Sequence, residues 1–504
     1  MLIGLGQSGK IFYSCFMSDL ELRLQELEEQ IIQLKKENEG LIDLVALLRR
    51  KQYGKSSEQV PAEQLGMFDE TEVEALNPEP EDDESIIVPA HQRKRGKRLK
   101  LPENLPRVEV IIDIESKTCP IEGKNLKCIG EDVSEKLEII PAKVRVIKTI
   151  RKKYACPACE TIQQAPAPLE MIPKSNSSAS VLAYIATAKY VDALPLYRQE
   201  AIFKRVGLDL SRQTMARWMI QIGEKIEPLV KLLREELLKS HYLHMDETVV
   251  QVLKEDGKKA ETNSYMWVQA RSGANPIILF HYAKNRSGDH ARELLEEFRG
   301  ALQVDGYDGY AGVISDNGIT RLGCWAHARR KFFDAFKSSS GKSIGKQGLV
   351  YIKKIYEIEE EIQGRPFAER FNFRLTRSVP ILKDFEKWIQ EQVRKVNPES
   401  LSGKALKYTT NEWQYLMNCF SEGSFRIDNN YIESHIRPFT IGRKNWMFSV
   451  KPEGAVASAN IYSLVETAKA NSLDPFDYLK KVFEKLPSAQ MEADFLELLP
   501  VKIK

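Results

Sequence analysis

Hydrophobic residues near the start of the chain recur at alternating steps of four and three. The series is Leu20, Leu24, Leu27, Ile31, Leu34, Asn38, Leu41, Val45 and Leu48. Leucine occupies every d position of this heptad pattern, and a single polar residue among the a positions, Asn38, favours a parallel two-stranded register. We therefore predict a leucine-zipper-like coiled coil over residues 17–66 that joins chains into a homodimer or higher oligomer. The alternative is an amphipathic helix that packs on its own protein.

Blocks of like charge follow the heptads. Acidic residues crowd the stretch from Asp69 to Glu84, and the basic run "HQRKRGKRLK" spans His91 to Lys100. Such blocks bury too little apolar surface to fold and are typical of linkers. Residues 67–112 are accordingly predicted to be a charged linker, whose basic run could also contact phosphates.

Alternating valine and isoleucine then predict strands in "AKVRVIKTIRKKYACPAC". The surrounding segment, residues 113–172, contains Cys119, Cys128, Cys156 and Cys159. It is typical of a zinc ribbon, which needs four ligands in two knuckles. The "CPAC" knuckle is complete, whereas "CPIE" has Glu122 at the position of the usual second cysteine. Either Glu122 or Cys128 could supply the fourth zinc ligand, and a degenerate ribbon without metal is the alternative.

Residues 173–240 show the spacing of amphipathic helices. In "EAIFKRVGLDLSRQTMARWMIQI" a helix, a turn with glycine and a second helix follow one another, and Ser211 is the predicted N-cap of the second. The pattern is typical of a helix-turn-helix that enters a major groove, so Arg212 and Arg217 on the second helix are candidate DNA contacts. Its turn is longer than usual, and a helical hairpin that only packs is the alternative.

The pattern changes from Tyr242 onwards to short apolar strands. Three antiparallel strands are predicted in "YLHMDETVVQVL", "SYMWVQAR" and "PIILFHYA", then a helix in "RSGDHARELLEEF" and a parallel strand in "GALQVDGYDGY". This order predicts a ribonuclease-H-like core over residues 241–345 and 421–450. Residues 346–420 form a predicted helical insertion, after which the strand-like "SFRID" returns the chain to the core. A helical region, residues 451–504, completes a multidomain α/β and α protein.

Length and composition narrow the class of protein further. A chain of 504 residues suffices for several domains, and a formal net charge of +3 leaves any binding of nucleic acid to local basic patches. The seven cysteines do not form a disulfide framework, and no stretch approaches the length of a membrane span. We expect a cytoplasmic protein and assign no structure to residues 1–16, upstream of Met17.

Three acidic residues fall within strands or at element ends of the predicted core. Asp246 lies mid-strand in "LHMDETVV", where an unpaired acid is costly, and Asp305 ends a strand that precedes a turn. Glu433 lies on a predicted helix. Each acid alone would suit an ordinary loop, turn or surface helix. Together they predict a site for hard cations, Mg²⁺ or Mn²⁺, and two such ions would serve a phosphodiester displacement.

The glutamate helix has basic surroundings. Asp428 or Asn429 can cap this helix, and Pro438 should end it. Asn429, Glu433 and Arg437 lie four residues apart and share one face. The basic residues near the glutamate are candidate phosphate contacts: Arg437, Arg443 and Lys444.

These motifs resemble those of the DDE transposases of the bacterial insertion sequence 66 family. The resemblance rests on "LHMDETVV", "LQVDGYDGY", "CWAHARRKF" and "DNNYIESHIRPFTIGRKNW", and it covers nearly the whole chain from Met17. It implies a ribonuclease-H-like core, interrupted by a helical insertion, that transfers DNA strands at element ends. By the same resemblance Asp246, Asp305 and Glu433 match the catalytic triad and hold the divalent cation.

The segment "CWAH" resembles a Cys-x-x-His signature found after the second aspartate in several DDE groups. The resemblance implies supporting roles at the active site for Cys324, His327, Arg329 and Asn429. A zinc half-site and a merely structural histidine are alternatives. The chain departs from the family pattern at Ser434, where an arginine is usual, and at Glu122, where a cysteine is usual.

The sequence thus predicts a DNA transposase that cleaves at insertion-element ends and joins them to target DNA by a two-metal mechanism. Expected partners are element-end DNA, target DNA, further copies of the chain and accessory proteins of the element. Zinc in the ribbon is a second expected metal. The alternatives are a dimeric DNA-binding regulator, an inactive relic that binds ends without cutting, and a nuclease of the same fold.

Overall fold

The computed structural model describes residues 144–155, 162–337 and 343–503, together with scattered helical positions between residues 23 and 41. Four apolar heptad residues lie among those helical positions: Leu27, Ile31, Leu34 and Leu41. Each of the four is at least half exposed in the single chain. An exposed stripe of this kind is what a helix retains for a partner helix.

The chain divides into two units, one of residues 71–150 and the other formed by residues 1–70 and 151–504. The described residues of the smaller unit, 144–150, form neither helix nor strand. The larger unit begins its regular structure with a hairpin of β1 (Lys153–Ala155) and β2 (Ile162–Gln164), which pair antiparallel.

A five-stranded mixed sheet organises the larger unit. Its strands are β3 (Tyr242–Gln251), β4 (Asn263–Arg271), β5 (Ile277–Ala283), β6 (Ala301–Gln303) and β7 (Thr320–Leu322). The spatial order is β5-β4-β3-β6-β7, with β3, β4 and β5 antiparallel and with β6 and β7 running parallel to β3. The sequence pattern predicts the first four strands and misses β7, whose three residues are too few to show a period.

Helices cover the sheet. Those that precede it are α1 (Ala179–Tyr190), α2 (Leu196–Arg205), α3 (Arg212–Lys225) and α4 (Glu227–Leu238). Within the sheet region lie α5 (Gly288–Leu295) and α6 (Ala311–Asn317), and the chain ends with α13 (Pro452–Ala470), α14 (Pro475–Lys485) and α15 (Glu492–Leu496). In the part of the chain that the structure describes, no helix is both long and apolar enough to cross a membrane.

The outer edge of β5 is closed by side chains of α13 rather than by another strand. The backbone N–H of Phe280 donates to Ser463 Oγ over 2.8 Å, and that of Ile278 donates to Thr467 Oγ1 over 3.0 Å. The Thr467 hydroxyl donates in turn to the carbonyl of Ile278. These bonds satisfy an edge that would otherwise be open to pairing, so α13 belongs to the core of the sheet.

The predicted helix-turn-helix segment corresponds to α2 and α3. Ser211 caps α3 as predicted, since its hydroxyl accepts a hydrogen bond from the backbone N–H of Thr214 over 3.2 Å. Trp218 is buried in the sheet core, whereas Arg212 and Arg217 are exposed. The helix therefore packs through one face and presents both arginines to solvent.

A second hydrophobic core lies beside the β7 end of the sheet. It is built by α7 (Trp325–Lys337) with α8 (Ile344–Glu361), α10 (Val379–Val393) and α11 (Leu401–Asn418), whereas α9 (Phe367–Phe373) buries none of its residues. Its centre is aromatic: the rings of Tyr351 and Phe385 stack 4.9 Å apart, and Trp325 packs near Phe385. We call α8 to α11 the insertion.

The expected end of the glutamate helix at Pro438 is wrong. Helix α12 spans Asn430–Trp446 and includes Pro438 in its interior. A proline there removes one backbone hydrogen bond of the helix. The residues beyond it, among them Phe439 and Thr440, are buried against the sheet core. Tertiary packing therefore carries the helix past a residue that would end it in isolation.

The strand-like "SFRID" is not a strand. Phe425 and Ile427 are buried, but their carbonyls bond to Arg374 and to the backbone N–H of Trp325 instead of to a neighbouring strand. Arg374 is fully buried and also binds both carboxylate oxygens of Glu359, at 2.8 and 2.6 Å. The segment is thus an irregular connection held by one arginine of the insertion.

Candidate active site

The first predicted acid lies in the middle of the central strand. Asp246 is on β3 opposite Val268 of β4, and its Oδ1 accepts the backbone N–H of Glu247 over 2.8 Å. Burial raises the pKa of Asp246 well above its ordinary value, and the charge of Glu247 adds to the rise. The carboxylates of Asp305 and Glu433 contribute in the same direction. Asp305 and Glu433 are therefore both close enough to Asp246 to raise its pKa.

The second acid lies just beyond the carboxyl end of β6. The Asp305 carboxylate accepts the backbone N–H of Tyr307 over 3.0 Å, which closes the turn of "DGY". Because β6 is parallel to β3 and pairs with its first residues, this turn opens near the middle of β3. The topology of the sheet thus brings Asp305 towards Asp246 although 59 positions separate them in the sequence.

The third acid is in the first turn of α12, where Glu433 is buried. Asn429, just before the helix, fixes its position: the side-chain N–H donates to the carbonyl of Met245 over 3.1 Å. The Asn429 Oδ1 lies 3.0 Å from Nδ1 of His244. Burial lowers the pKa of His244 to about 3, so this imidazole is neutral at neutral pH. The start of the glutamate helix is thereby fastened to the strand that bears Asp246.

We call Asp246, Asp305 and Glu433 the carboxylate site. In the described part of the chain, no basic side chain forms an ion pair with Asp246 or Asp305. An aspartate such as Asp246, whose pKa is raised by burial and by neighbouring carboxylates, also attracts metal ions, which relieve that repulsion. The oxygen donors of these three carboxylates fit Mg²⁺ or Mn²⁺. The arrangement is suited to hold a divalent cation beside a phosphodiester.

A further acid next to the site escaped the sequence analysis. Glu247 points to the opposite face of β3 from Asp246, where Arg286 binds its Oε1 at 2.6 Å and the Tyr310 hydroxyl donates to its Oε2 at 2.5 Å. The Arg286 guanidinium also lies 3.8 Å from the centre of the Tyr307 ring. This network holds the turn that carries Asp305. The only signal in the sequence was the position of Glu247 beside Asp246 in a buried strand.

The insertion also contributes to holding the turn that carries Asp305. Arg321 of β7 donates to the backbone carbonyl of Asp305 over 2.8 Å and to Glu412 of α11 over 2.6 Å. Its guanidinium lies 4.0 Å from the centre of the Tyr415 ring. Gly306 has no room for a side chain, because a Cβ would meet the Tyr408 ring at 3.1 Å. The second aspartate is therefore held between the sheet and the insertion.

The predicted supporting residues of "CWAH" lie beside the glutamate. Cys324 is buried directly before α7, and His327 is in the first turn of that helix. Ligand atoms of Cys324, His327 and Glu433 lie within 4.8 Å of one another. Arg329 is partly buried on α7, and among the described residues no hydrogen bond or ion pair links it to the carboxylate site.

The candidate DNA contacts differ in their surroundings. Lys444 is exposed near the end of α12, and Arg437 is partly buried on the same helix. Arg443 turns back to the sheet, where it donates to the carbonyl of Val249 and to Thr248 Oγ1. Burial lowers the pKa of Arg443 to about 10. Arg443 therefore contacts the strand itself.

The predicted zinc ligands cannot be placed. Cys119, Glu122, Cys128, Cys156 and Cys159 lie outside the described residues. The hairpin of β1 and β2 brackets the "CPAC" knuckle, and its described strands are exposed.

Comparison with known families gives matches along most of the chain. The model described as "Transposase IS66 family" matches residues 174–457, and that of the "zinc-finger binding domain of transposase IS66" matches residues 116–160. The "IS66 C-terminal element" matches residues 463–501. The model described as "Transposase C of IS166 homeodomain" matches residues 41–110, across the predicted coiled coil and linker.

Curated relatives of similar length come from Sinorhizobium fredii. The uncharacterized protein y4qI is 32% identical over 96% of this chain and 94% of that protein. The uncharacterized protein y4jD is 32% identical over 95% of this chain and 97% of its own. Both likenesses extend over the full architecture rather than over one domain.

Proposed function

Because the chain belongs to the IS66 family of transposases, we propose that it is a metal-dependent enzyme that cleaves DNA at insertion-element ends and joins them to target DNA. The observation that carries the proposal is the carboxylate site. The site takes its acids from a strand, a turn and a helix far apart in the sequence: Asp246, Asp305 and Glu433. The carboxylates of Asp305 and Glu433 both raise the pKa of Asp246, which supports the proposal. Three separate elements supply acids to one place.

The family implies a divalent cation, and we propose that it is Mg²⁺ or Mn²⁺ bound by these three carboxylates. When bound, two such ions activate the attacking oxygen and stabilise the leaving oxygen of a phosphodiester displacement. The residues of this chain hold the ligands in place: Asn429 fixes the glutamate helix, and Arg321 fixes the backbone of Asp305. Arg437 and Lys444, on the glutamate helix, are proposed to contact the phosphates of the bound strand.

We propose a ribonuclease-H-like fold for the core. The order β5-β4-β3-β6-β7, with three antiparallel strands followed by two parallel ones, supports it. The position of the insertion between α7 and α12 supports the division of the core into residues 241–345 and 421–450. The remaining proposed domains keep the boundaries predicted from the sequence.

The proposed assembly is a dimer or larger complex of chains that brings two element ends together. The exposed heptad residues of the N-terminal helix support a coiled coil, and the exposed Arg212 and Arg217 on α3 support contact with end DNA. The zinc-finger match supports Zn²⁺ in the ribbon, with Cys119, Cys156 and Cys159 as ligands and Glu122 or Cys128 as the fourth. Accessory proteins of the element and a cytoplasmic location remain part of the proposal.

A joining assay tests the proposal. Purified protein is incubated with Mg²⁺, labelled DNA that carries the element's own ends, and a supercoiled target. We expect joined products from the unaltered protein and none from Glu433→Gln. Glu453→Gln is the matched control, because Glu453 is also in the first turn of a helix but is exposed; it should join normally.

Other outcomes identify the alternatives. Cleaved ends without joined products would indicate a nuclease of the same family. Specific binding of ends without cleavage, also after the element's other proteins are added, would indicate a regulator or an inactive relic. Joining by Glu433→Gln at the normal rate would remove the carboxylate site from the mechanism.

A further inference from the structure

The residues of "CWAH" lie against the carboxylate site but are not used by the mechanism above. Cys324 Sγ, a ring nitrogen of His327 and a carboxylate oxygen of Glu433 lie within 4.8 Å of one another. Two of them flank the start of α7, and the third comes from α12. We call these three residues the thiol cluster.

The sulfur of Cys324 lies where backbone N–H groups point at it. Cys324 directly precedes the thirteen-residue helix α7, and its Sγ accepts the backbone N–H of Asn429 over 3.2 Å. Burial raises the pKa of this thiol, and the charge of Glu433 raises it further, whereas the backbone N–H groups of Asn429 and His327 lower it. The charge of Glu433 opposes loss of the thiol proton. A cation bound by both the sulfur and the carboxylate would offset that charge and lower the thiol pKa.

One ring nitrogen of His327 has no hydrogen-bond partner among the described residues. This atom, Nδ1, is also shielded from solvent. A buried polar atom left unpaired is costly, and an ion or water that fills the place removes the cost. Burial lowers the pKa of His327 to about 4, so the ring is neutral at neutral pH and has a lone pair for a metal.

The donor set determines which metal fits. A thiolate, an imidazole and a carboxylate suit Zn²⁺, which binds all three in tetrahedral sites, whereas Mg²⁺ prefers oxygen ligands. We propose that Cys324, His327 and Glu433 form a Zn²⁺ site distinct from the ribbon, with the fourth coordination position open. Binding releases the thiol proton of Cys324 to solvent.

The site shares one ligand with the carboxylate site. If the proposed function holds, a zinc ion on the thiol cluster withdraws Glu433 from the Mg²⁺ site. Zn²⁺ would then inhibit cleavage, and Zn²⁺ and Mg²⁺ would compete for the protein. The zinc site itself does not depend on that function, because its ligands are defined by geometry and donor chemistry alone.

Cobalt spectroscopy tests the site without any assay of activity. Co²⁺ replaces Zn²⁺ and gives a near-ultraviolet charge-transfer band only when a thiolate is bound. The background is the full-length chain with the ribbon cysteines changed to serine: Cys119→Ser, Cys128→Ser, Cys156→Ser and Cys159→Ser. We expect this protein to bind one Co²⁺ with the charge-transfer band, and added Zn²⁺ to abolish the band.

Matched variants in that background assign the ligands. Cys324→Ser should lose the band, and His327→Gln and Glu433→Gln should weaken cobalt binding. Cys419→Ser is the control, because Cys419 is the other buried free cysteine among the described residues and lies outside the thiol cluster; it should keep the band. Retention of the band in Cys324→Ser, or its absence from the background protein, would overturn the proposal.

A second measurement avoids the variants at the cluster, should they fail to fold. X-ray absorption at the zinc edge of the background protein should show one sulfur neighbour, and a zinc shell without sulfur would overturn the proposal. The outcomes also separate the two proposals. Sulfur-bound zinc in a protein that never joins DNA would leave the zinc site standing while the transposase function fails.

Discussion

Two groups of buried or half-buried carboxylates lie side by side in this protein and differ in their partners. Glu247 and Glu412 each face an arginine, Arg286 and Arg321 respectively, at 2.5 to 2.6 Å. Asp246, one residue from Glu247 and on the other face of the same strand, has no such partner among the described residues. Glu247 and Glu412 are balanced by cations of the protein, whereas Asp246 and Asp305 form no ion pair among the described residues and repel each other.

This difference distinguishes carboxylates that stabilise the fold from carboxylates that are candidates for chemistry. A buried charge is tolerated when an arginine with good geometry neutralises it, and an unbalanced one destabilises the fold. Such a cost persists where the site needs the charge for chemistry. The unbalanced acids are therefore the candidates for a cation from solution, and the balanced ones hold the turn of Asp305 in place.

The largest expected effect comes from removal of an unbalanced acid. Asp305→Asn should lower the rate of DNA cleavage by more than about a hundredfold, since even outer partners of metal ligands are worth about 10 to 100-fold. Asp308→Asn is the matched control, because the same "DGY" tripeptide recurs three positions later with an exposed aspartate. Initial rates on labelled element ends give the comparison, and equal losses in both variants would contradict it.

Next comes removal of a balancing cation. Arg286→Met leaves Glu247 buried without its arginine and should lower the free energy of unfolding by about 3 kcal/mol, the lower end for a broken buried pair, since the Arg286 side chain is 34% exposed. Urea unfolding measures the change.

Two further variants are needed to interpret the result for Arg286→Met. Arg292→Met removes pairs with the exposed Asp289 and Asp316 and should cost at most about 1 kcal/mol. Adding Glu247→Gln to Arg286→Met should recover part of the loss, because no charge is then left unpaired. Equal costs for the two arginines would remove the distinction between balanced and surface carboxylates.

A smaller effect is expected where the insertion meets the site. Arg321→Gln should lower the free energy of unfolding by about 1.5 to 3 kcal/mol, less than Arg286→Met, because glutamine loses the charge of the buried pair but keeps a side-chain donor for Glu412. It should also raise the Mg²⁺ concentration needed for half-maximal cleavage, since the backbone of Asp305 is released. Arg377→Gln, which breaks the exposed pair with Glu361 in the insertion, is the control and should leave the Mg²⁺ dependence unchanged.

The smallest effect concerns pH and the metal-free protein. The pKa of Asp246 is raised in the folded state, so the folded protein holds this proton more strongly than the unfolded chain does. Stability should therefore fall as pH rises from the unfolded pKa, near 3.8, through the folded one. Asp246→Asn should remove this part of the slope and raise the free energy of unfolding at neutral pH by about 0.5 to 2 kcal/mol.

Metal addition sharpens that last test. Mg²⁺ should stabilise the unaltered protein against urea, because an ion that binds only the folded state shifts the equilibrium towards it. It should stabilise Asp246→Asn much less. An Asp246→Asn protein that is less stable than the original at neutral pH without metal would show that the acid is balanced after all.

Local sequence patterns predicted much of the fold. Apolar runs from Tyr242 onwards predicted four strands of the sheet, and Ser211 was found as a helix cap, because strands and caps depend on neighbouring residues. The prediction was wrong at Pro438, where burial of Phe439 and Thr440 outweighs the local preference of proline. It was also wrong for "SFRID", whose carbonyls are bound by a distant arginine.

The sequence by itself determined the family and four strands of the sheet, and it predicted the three acids as a site, since each depends on residue type and near neighbours. Only the tertiary structure decided which carboxylates pair with an arginine. Glu247 and Asp246 are adjacent in the chain and both bear a carboxyl group, yet Glu247 pairs with Arg286 whereas Asp246 lies near the carboxylates of Asp305 and Glu433. Their side chains point to opposite faces of one strand, and what lies on each face is set by elements 40 to 190 residues away.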